Sequence, residues 1–285
     1  MYRVEIERTD AAPTPDKPGH FHYVDQGNYL CLPVEGPVSL YSDSATSCII
    51  TVVFGTRDGR TEVTLAHLDS PSCIEAFFRI VAGRGYTELQ VFAQGANPPD
   101  NATSKENAEA FRAEIHRLQP ARSELFLEEG DPRQDNRGDF GVVATVDGAV
   151  VTNRQYVLEL TERDPTCGGQ TVYCIMRRQE RPPVELRDAG QPFTHAELVQ
   201  LSQIALAFQK DPKDPSTRFT AIVTLDSEAV RENWSTTPEY EAPWFSDQLK
   251  LGAVFALSMA PVVQLSADTL EQSGAFTRLA KALAR

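Results

Sequence analysis

Positive charge is in short supply along this chain of 285 residues. It carries 27 lysines and arginines against 40 aspartates and glutamates, a formal net charge of −13. Nucleic acid and anionic membrane surfaces both call for a positive footprint, so this balance argues against either as a partner. Long apolar runs are also missing. A membrane span takes roughly 18 consecutive apolar residues, and the nearest approach, "LKLGAVFALSMAPVV" (249–263), is too short. The opening "MYRVEIERTDAAPTPDKPG" lacks the apolar core of a secretory signal. The five cysteines (31, 48, 73, 167 and 174) are too few and too scattered to frame a chain of this length with disulfides. Cys167 and Cys174 lack the second Cys or His pair that a zinc site needs, so no metal or cofactor is called for. These absences describe a cytoplasmic protein with reduced thiols.

What is present is ordinary globular material, 41% hydrophobic and 24% charged. No repeat or linker divides it, so the sequence reads as a single domain over 1–285 with a poorly structured lead over 1–19. "HFHYV" and "NYLCLPV" read as short strands split by "DQG". A helix is predicted over 71–82, with Ser70 as N-cap, Pro71 at the first helical position and Gly83 just past the end. Its apolar residues Ile74, Phe77, Phe78 and Val81 recur at helical spacing, so one face packs on a sheet. A strand in "YTELQVFAQG" and a helix over 102–118 follow.

"FGVVATVDGAVVTNRQYVLEL" reads as a hairpin turning at Asp147-Gly148. "QTVYCIMRR" and "RFTAIVTL" read as strands. "THAELVQLSQIALAFQ", "APWFSDQLKLGAVFALSM" and the Ser266-capped "ADTLEQSGAFTRLAKALA" read as helices, the last closing the chain over 265–285. Hairpins with helices between them predict an α+β fold rather than a doubly wound parallel sheet.

The most informative stretch is "SDSATSCIITVVFGTRDGRTEVTLAHLD" (42–69), two β-branched runs around a Gly/Asp turn. Side chains alternate along a strand, so Cys48, Ile50, Val52 and Phe54 share one face, and Val63, Leu65 and His67 share one on the return. If "GTRDGR" is a six-residue loop, Cys48 lies directly opposite His67. If Asp58-Gly59 is a tight two-residue turn, the two are diagonal neighbours. Either register keeps thiol and imidazole on one face, about 4.5–8 Å apart at Cβ. Only a one-residue slip separates them.

A thiolate beside an imidazole is a nucleophile beside its general acid and base. A third group must hold the imidazole by its other nitrogen, and Ser42 is in reach once the chain turns. The same pair also suits a plain hairpin core, since cysteine is among the most buried residue types. Cys73, in the first turn of the 71–82 helix, is the rival nucleophile.

The order Ser42, Cys48, His67 resembles the papain-unrelated cysteine deamidases, which include chemoreceptor glutamine deamidases and cytotoxic necrotizing factor toxins. The chain is also similar to eukaryotic protein N-terminal asparagine amidohydrolases. That family has Ser-Asp-x-Ala-Thr-x-Cys before an apolar strand, here "SDSATSC" (42–48). It has Leu-Thr-His-x-Asp on the return strand, here "LAHLD" (65–69) with Ala66 for Thr, and Glu-Asn-x-Ser-Thr-x-Pro before an amphipathic helix, here "ENWSTTP" (232–238). The resemblance covers about residues 20–260, patchily. The turn between Cys48 and His67 is about two residues longer than in the family, an even change that preserves facing, and 160–220 matches poorly.

The resemblance implies a layered α/β/β/α sandwich on mostly antiparallel sheets. It implies a deamidase that converts N-terminal asparagine of proteins to aspartate and ammonia through a Cys48 thioester. His67 would serve as acid and base, and Ser42 would orient it. Asp43, Asp69 and Glu232 would be the carboxylates available to the substrate's α-ammonium, and Ser235 and Thr236 further substrate contacts. Partners would be proteins or peptides that begin with asparagine. A glutamine deamidase acting on internal side chains, or a non-catalytic relative that binds N-termini, are the alternatives.

Overall fold

The computed structural model describes residues 1–180, 185–194, 197 and 222–263. Eleven strands and six helices lie within them. In chain order these are β1 (Val4–Glu7), β2 (Phe21–Tyr23), β3 (Asn28–Pro33), β4 (Val38–Ser42), β5 (Ile49–Arg57), β6 (Arg60–Leu68), α1 (Pro71–Gly83), β7 (Thr87–Gly95), α2 (Ala102–Leu118), β8 (Arg122–Leu127), β9 (Phe140–Thr145) and β10 (Gly148–Thr152). Then follow α3 (Leu160–Arg163), α4 (Gly169–Glu180), β11 (Arg187–Asp188), α5 (Ser227–Trp234) and α6 (Phe245–Val263). The class is mixed α+β, as the alternation of hairpins and helices predicts.

Two sheets carry the strands, in the orders β1-β10-β9-β4-β2 and β11-β3-β6-β5-β7-β8. Both are antiparallel in the middle and parallel at their edges. A parallel neighbour needs a crossover, and α2 supplies it between β7 and β8.

The β5–β6 hairpin is the centre of the six-stranded sheet. Arg57 pairs with Arg60, so Asp58 and Gly59 alone form the turn. Both have positive φ (+53° and +76°), the type I′ geometry whose twist matches a hairpin. The six-residue loop is therefore excluded, and Ile50, not Cys48, faces His67.

Parity along β5 then sorts two cores. Cys48, Ile50, Val52 and Phe54 pack with Leu40, Phe140, Val142 and Val151 of the five-stranded sheet. Ile49 and Val53 pack with Ile74, Phe77, Phe78 and Phe111 of α1 and α2. The result is three layers: helices, six-stranded sheet, five-stranded sheet. Full burial of each large apolar side chain contributes about 1.5–3 kcal/mol, and Phe77, Phe78 and Phe111 have no exposed surface at all.

Several expectations need correction. "QTVYCIMRR" is not a strand but most of α4. Its β-branched and aromatic residues suit either state, and the start signal before it decides. Thr166 Oγ1 accepts the Gln170 N–H (2.8 Å) and Asp164 accepts the Thr171 N–H (2.9 Å), satisfying helix-start donors that otherwise lack partners. In "RFTAIVTL", Ile222 is helical and Val223-Thr224 form a turn, so the described end is not a strand. The rest of that segment, nearly all of "THAELVQLSQIALAFQ" and the Ser266-capped helix fall outside the described residues.

Val4–Glu7 form a strand within the expected loose lead, because they complete the sheet beside β10. The β9–β10 turn is Val146-Asp147, one residue earlier than Asp147-Gly148, since Thr145 pairs with Gly148. The return strand stops at Thr152, where the Asn153 side chain bonds Thr9 and Asp135 instead. Helix α1 includes Gly83, and the left-handed residue after it is Gly85 (φ +65°). Helices over 102–118 and from Phe245 stand as expected. No helix among the described residues is long and apolar enough to cross a membrane.

The chain divides into two compact units. The first, Met1–Leu158 with Val184–Gly190 and Glu239–Glu241, holds both sheets, α1 and α2. The second comprises Glu159–Pro183, Gln191–Pro238 and Ala242–Arg285. Within it α4 packs on α6, and α6 on α5. Gly168 and Gly252 allow close approach there, since a Cβ on Gly168 would lie 2.6 Å from Leu251 O.

Candidate active site

Cys48 stands just before β5, at the end of a loop gripped by its surroundings. Ala45 N–H donates to Gly138 O (2.9 Å), and the carbonyls of Thr46 and Cys48 accept from Asn97 N and Ala96 N (both 2.8 Å). Ser47 O accepts from the Asn107 side chain (2.8 Å), which projects from the second turn of α2. Ser44 adopts φ +60° within the loop, and Gly95 beside it φ +136°. A Cβ on Gly95 would sit 2.2 Å from Cys48 O, so only glycine lets β7 approach this closely.

His67 lies one residue before the end of β6, and its carbonyl accepts from Gly27 N–H (2.8 Å). Cys48 and Ile50 share a face, so His67 is the diagonal neighbour of Cys48 on the side turned to the five-stranded sheet. Both are buried, with 7% of Cys48 and 4% of His67 exposed.

Ser42 ends β4 in the opposite sheet, and its Oγ lies 2.8 Å from His67 Nδ1. The same oxygen donates to Val24 O at 2.6 Å. A hydroxyl has one proton, and here it goes to Val24, so Ser42 must accept from Nδ1–H. This network assigns the proton to Nδ1 and makes Nε2 the basic nitrogen.

Two of the predicted carboxylates adjoin these residues along the chain, Asp43 directly after Ser42 and Asp69 two residues after His67. Asp43 accepts from the Tyr23 hydroxyl (2.9 Å) and the Ser44 hydroxyl (3.0 Å). Asp69 accepts from the Gln26 amide and the Ser70 hydroxyl, both at 3.2 Å. Burial first, and then the Asp139 and Asp43 carboxylates, push the Tyr41 phenol well above its ordinary range, so it stays a neutral donor to Asp139 (2.7 Å).

Five of the eight predicted residues, Ser42, Asp43, Cys48, His67 and Asp69, thus gather at one end of the first unit. Glu232, Ser235 and Thr236 belong to the second. There Glu232 is exposed on α5, Ser235 caps that helix and accepts from Thr237 N–H (2.8 Å), and Thr236 is exposed. Cys73 is fully buried on the helix side of the six-stranded sheet, the face away from His67. Among the described residues no group of three or more His, Cys, Asp and Glu is placed to hold a metal ion.

The sequence reading missed the Val24 carbonyl, Gln94 and Asn107. The last two left a signal. Ser104, Asn107, Ala108 and Phe111 form the buried stripe of α2, and Gln90, Phe92 and Gln94 share the interior face of β7. A polar residue on an apolar stripe is there for a partner.

The chain matches no known family model, and no characterised protein matches it significantly.

Proposed function

We propose that this chain is a cysteine-dependent amidohydrolase that converts the side-chain amide of an N-terminal asparagine to a carboxylate, with release of ammonia. The observation that carries the reading is the Ser42–His67 contact. It joins a hydroxyl six residues before a cysteine to a histidine diagonal to that cysteine, across two sheets. A plain hairpin core has no use for a buried serine that fixes an imidazole tautomer. The motifs "SDSATSC", "LAHLD" and "ENWSTTP" add the substrate class by resemblance. The helix, sheet and sheet layers agree with part of the α/β/β/α order of necrotizing-factor-type deamidases.

In this reading the Cys48 thiol gives its proton to His67 Nε2, and the sulfur attacks the amide carbon. Backbone N–H groups beside the nucleophile hold the oxyanion, a few kcal/mol per donor. The imidazolium protonates the nitrogen of the tetrahedral intermediate, the C–N bond breaks, and ammonia departs to leave a thioester. His67 then takes a proton from water, which attacks the thioester carbon. The products are aspartate and the restored thiol. No metal or cofactor takes part, the partners are proteins and peptides that begin with asparagine, and the compartment is the reducing cytoplasm.

The test is a panel of free and N-acetylated peptides with asparagine or glutamine at the first or an internal position. Ammonia and the amide-to-acid mass change are followed. Release from free N-terminal asparagine alone is expected, and its loss in Cys48→Ala. Activity that survives acetylation overturns the N-terminal reading, and full activity in Cys48→Ala overturns the nucleophile.

A further inference from the structure

Cys48 is flanked on both sides. Ile50 pairs with His67 on β6 and with Gln94 on β7, so the two are counterparts across the nucleophile's strand. Both side chains take the face that Ile50 and Phe92 turn to the five-stranded sheet. Both are therefore diagonal neighbours of Cys48.

Gln94 Nε2 donates to Asn136 O (2.9 Å) and Asp139 O (2.7 Å). Two carbonyl acceptors leave no doubt which end of the amide is nitrogen. Its oxygen is the other end. Gln94 is 1% exposed, and Oε1 is buried with no hydrogen-bond partner among the described residues. A buried acceptor without a donor costs free energy, so such a group calls for a water or a ligand.

We propose that Gln94 Oε1 accepts a hydrogen bond from the substrate's α-ammonium, and so selects a chain end over an internal side chain. This rests on the amidohydrolase reading. An N-terminal asparagine brings two N–H heads to Cys48. The carboxamide nitrogen must face His67, which protonates it. The α-ammonium, three bonds from the reacting carbon, is the donor left for the opposite flank. The Asp43 and Asp69 carboxylates already accept from neighbouring side chains and act on the cation through their field.

The test compares two peptides, one beginning with asparagine and one capped with a carbamoylpropanoyl group, which keeps the amide and lacks the amine. The readout is the ratio of their kcat/KM values in the wild type, Gln94→Met and Gln94→Glu. Methionine removes both the acceptor and the donors to Asn136 and Asp139. Glutamate keeps an acceptor, removes the donors and adds a negative charge against the two carbonyls, which lowers the rates with both peptides together and not their ratio. A charge-assisted hydrogen bond predicts that Gln94→Met lowers the ratio about tenfold to a hundredfold, while Gln94→Glu keeps it. An equal fall in both variants means that Gln94 only holds the 136–139 segment and overturns the proposal, as does a ratio unchanged in Gln94→Met. The rate of Cys48 alkylation checks each variant for an intact site. Failure of the amidohydrolase reading is seen separately, as no ammonia from either peptide in the wild type.

Discussion

Ser42 Oγ and His67 Nδ1 stand 2.8 Å apart across two sheets, with the serine proton committed to Val24 O at 2.6 Å. Toward His67 the serine is therefore an acceptor only. It selects the tautomer with a basic Nε2 without adding charge. Ser42→Ala removes that choice, and a buried hydrogen bond of this kind is worth about 1–3 kcal/mol. The expected result is a fall in kcat of roughly 5- to 150-fold with KM little changed. Steady-state kinetics check it, and an unchanged kcat removes Ser42 from the site.

Gly95 predicts a contrast with another glycine of positive φ. A Cβ at Gly95 meets Cys48 O at 2.2 Å, whereas one at Gly59 meets nothing within 4 Å. Gly95→Ala should cost roughly 2–5 kcal/mol and displace the nucleophile. Gly59→Ala should cost only about 1–2 kcal/mol and leave Cys48 alkylation unchanged. Urea unfolding and alkylation rates of both variants decide the matter, and equal behaviour argues against the close approach.

Asn107 ties the carbonyl before Cys48 to α2, at 2.8 Å, with a longer 3.5 Å contact to Asp69 O. Asn107→Ala should lower kcat about tenfold and stability by about 1–3 kcal/mol. Asn107→Asp puts a carboxylate against Ser47 O and should be worse near neutral pH. It should then recover relative to wild type as pH falls, because a protonated carboxyl donates again. Matching pH–rate profiles for the Asp and Ala variants would contradict this role.

Away from the site, Glu62 accepts from Tyr86 (2.6 Å), Arg84 (2.9 Å) and Arg57 (2.9 Å). Burial pushes its pKa up, but the Tyr86 hydrogen bond and the two guanidinium charges outweigh burial and hold it below the ordinary value. A depressed carboxylate pKa contributes stability above the unfolded-state value, about 4.3 for glutamate. That contribution is lost as pH falls through the lowered folded value. Glu62→Gln should therefore lower the urea midpoint at pH 7 and differ less from wild type at pH 3. The same deficit at both pH values would contradict the linkage.

Much of the first unit is legible in the sequence because its rules are local. Ser70 and Pro71 start α1 where capping chemistry says a helix starts. Either turn around Asp58-Gly59 keeps Cys48 and His67 on one face, although only the pairing of Arg57 with Arg60 makes them diagonal rather than directly opposed. The misreadings have local causes as well. "QTVYCIMRR" has the composition of a strand, and its helix start lies in the side chains of Asp164 and Thr166. Val4–Glu7 is too short to announce itself and forms a strand only because β10 offers an edge.

By itself, then, the sequence determined the hairpin, the shared face of Cys48 and His67, and the helices behind them. These depend on a period of two residues or on caps within a few positions. Only the tertiary structure decided that Ser42 meets Nδ1, that Val24 takes its proton, and that Gln94 stands opposite His67 with an oxygen to fill. Those contacts join residues on different strands and across two sheets, and no local period sets how the sheets stack.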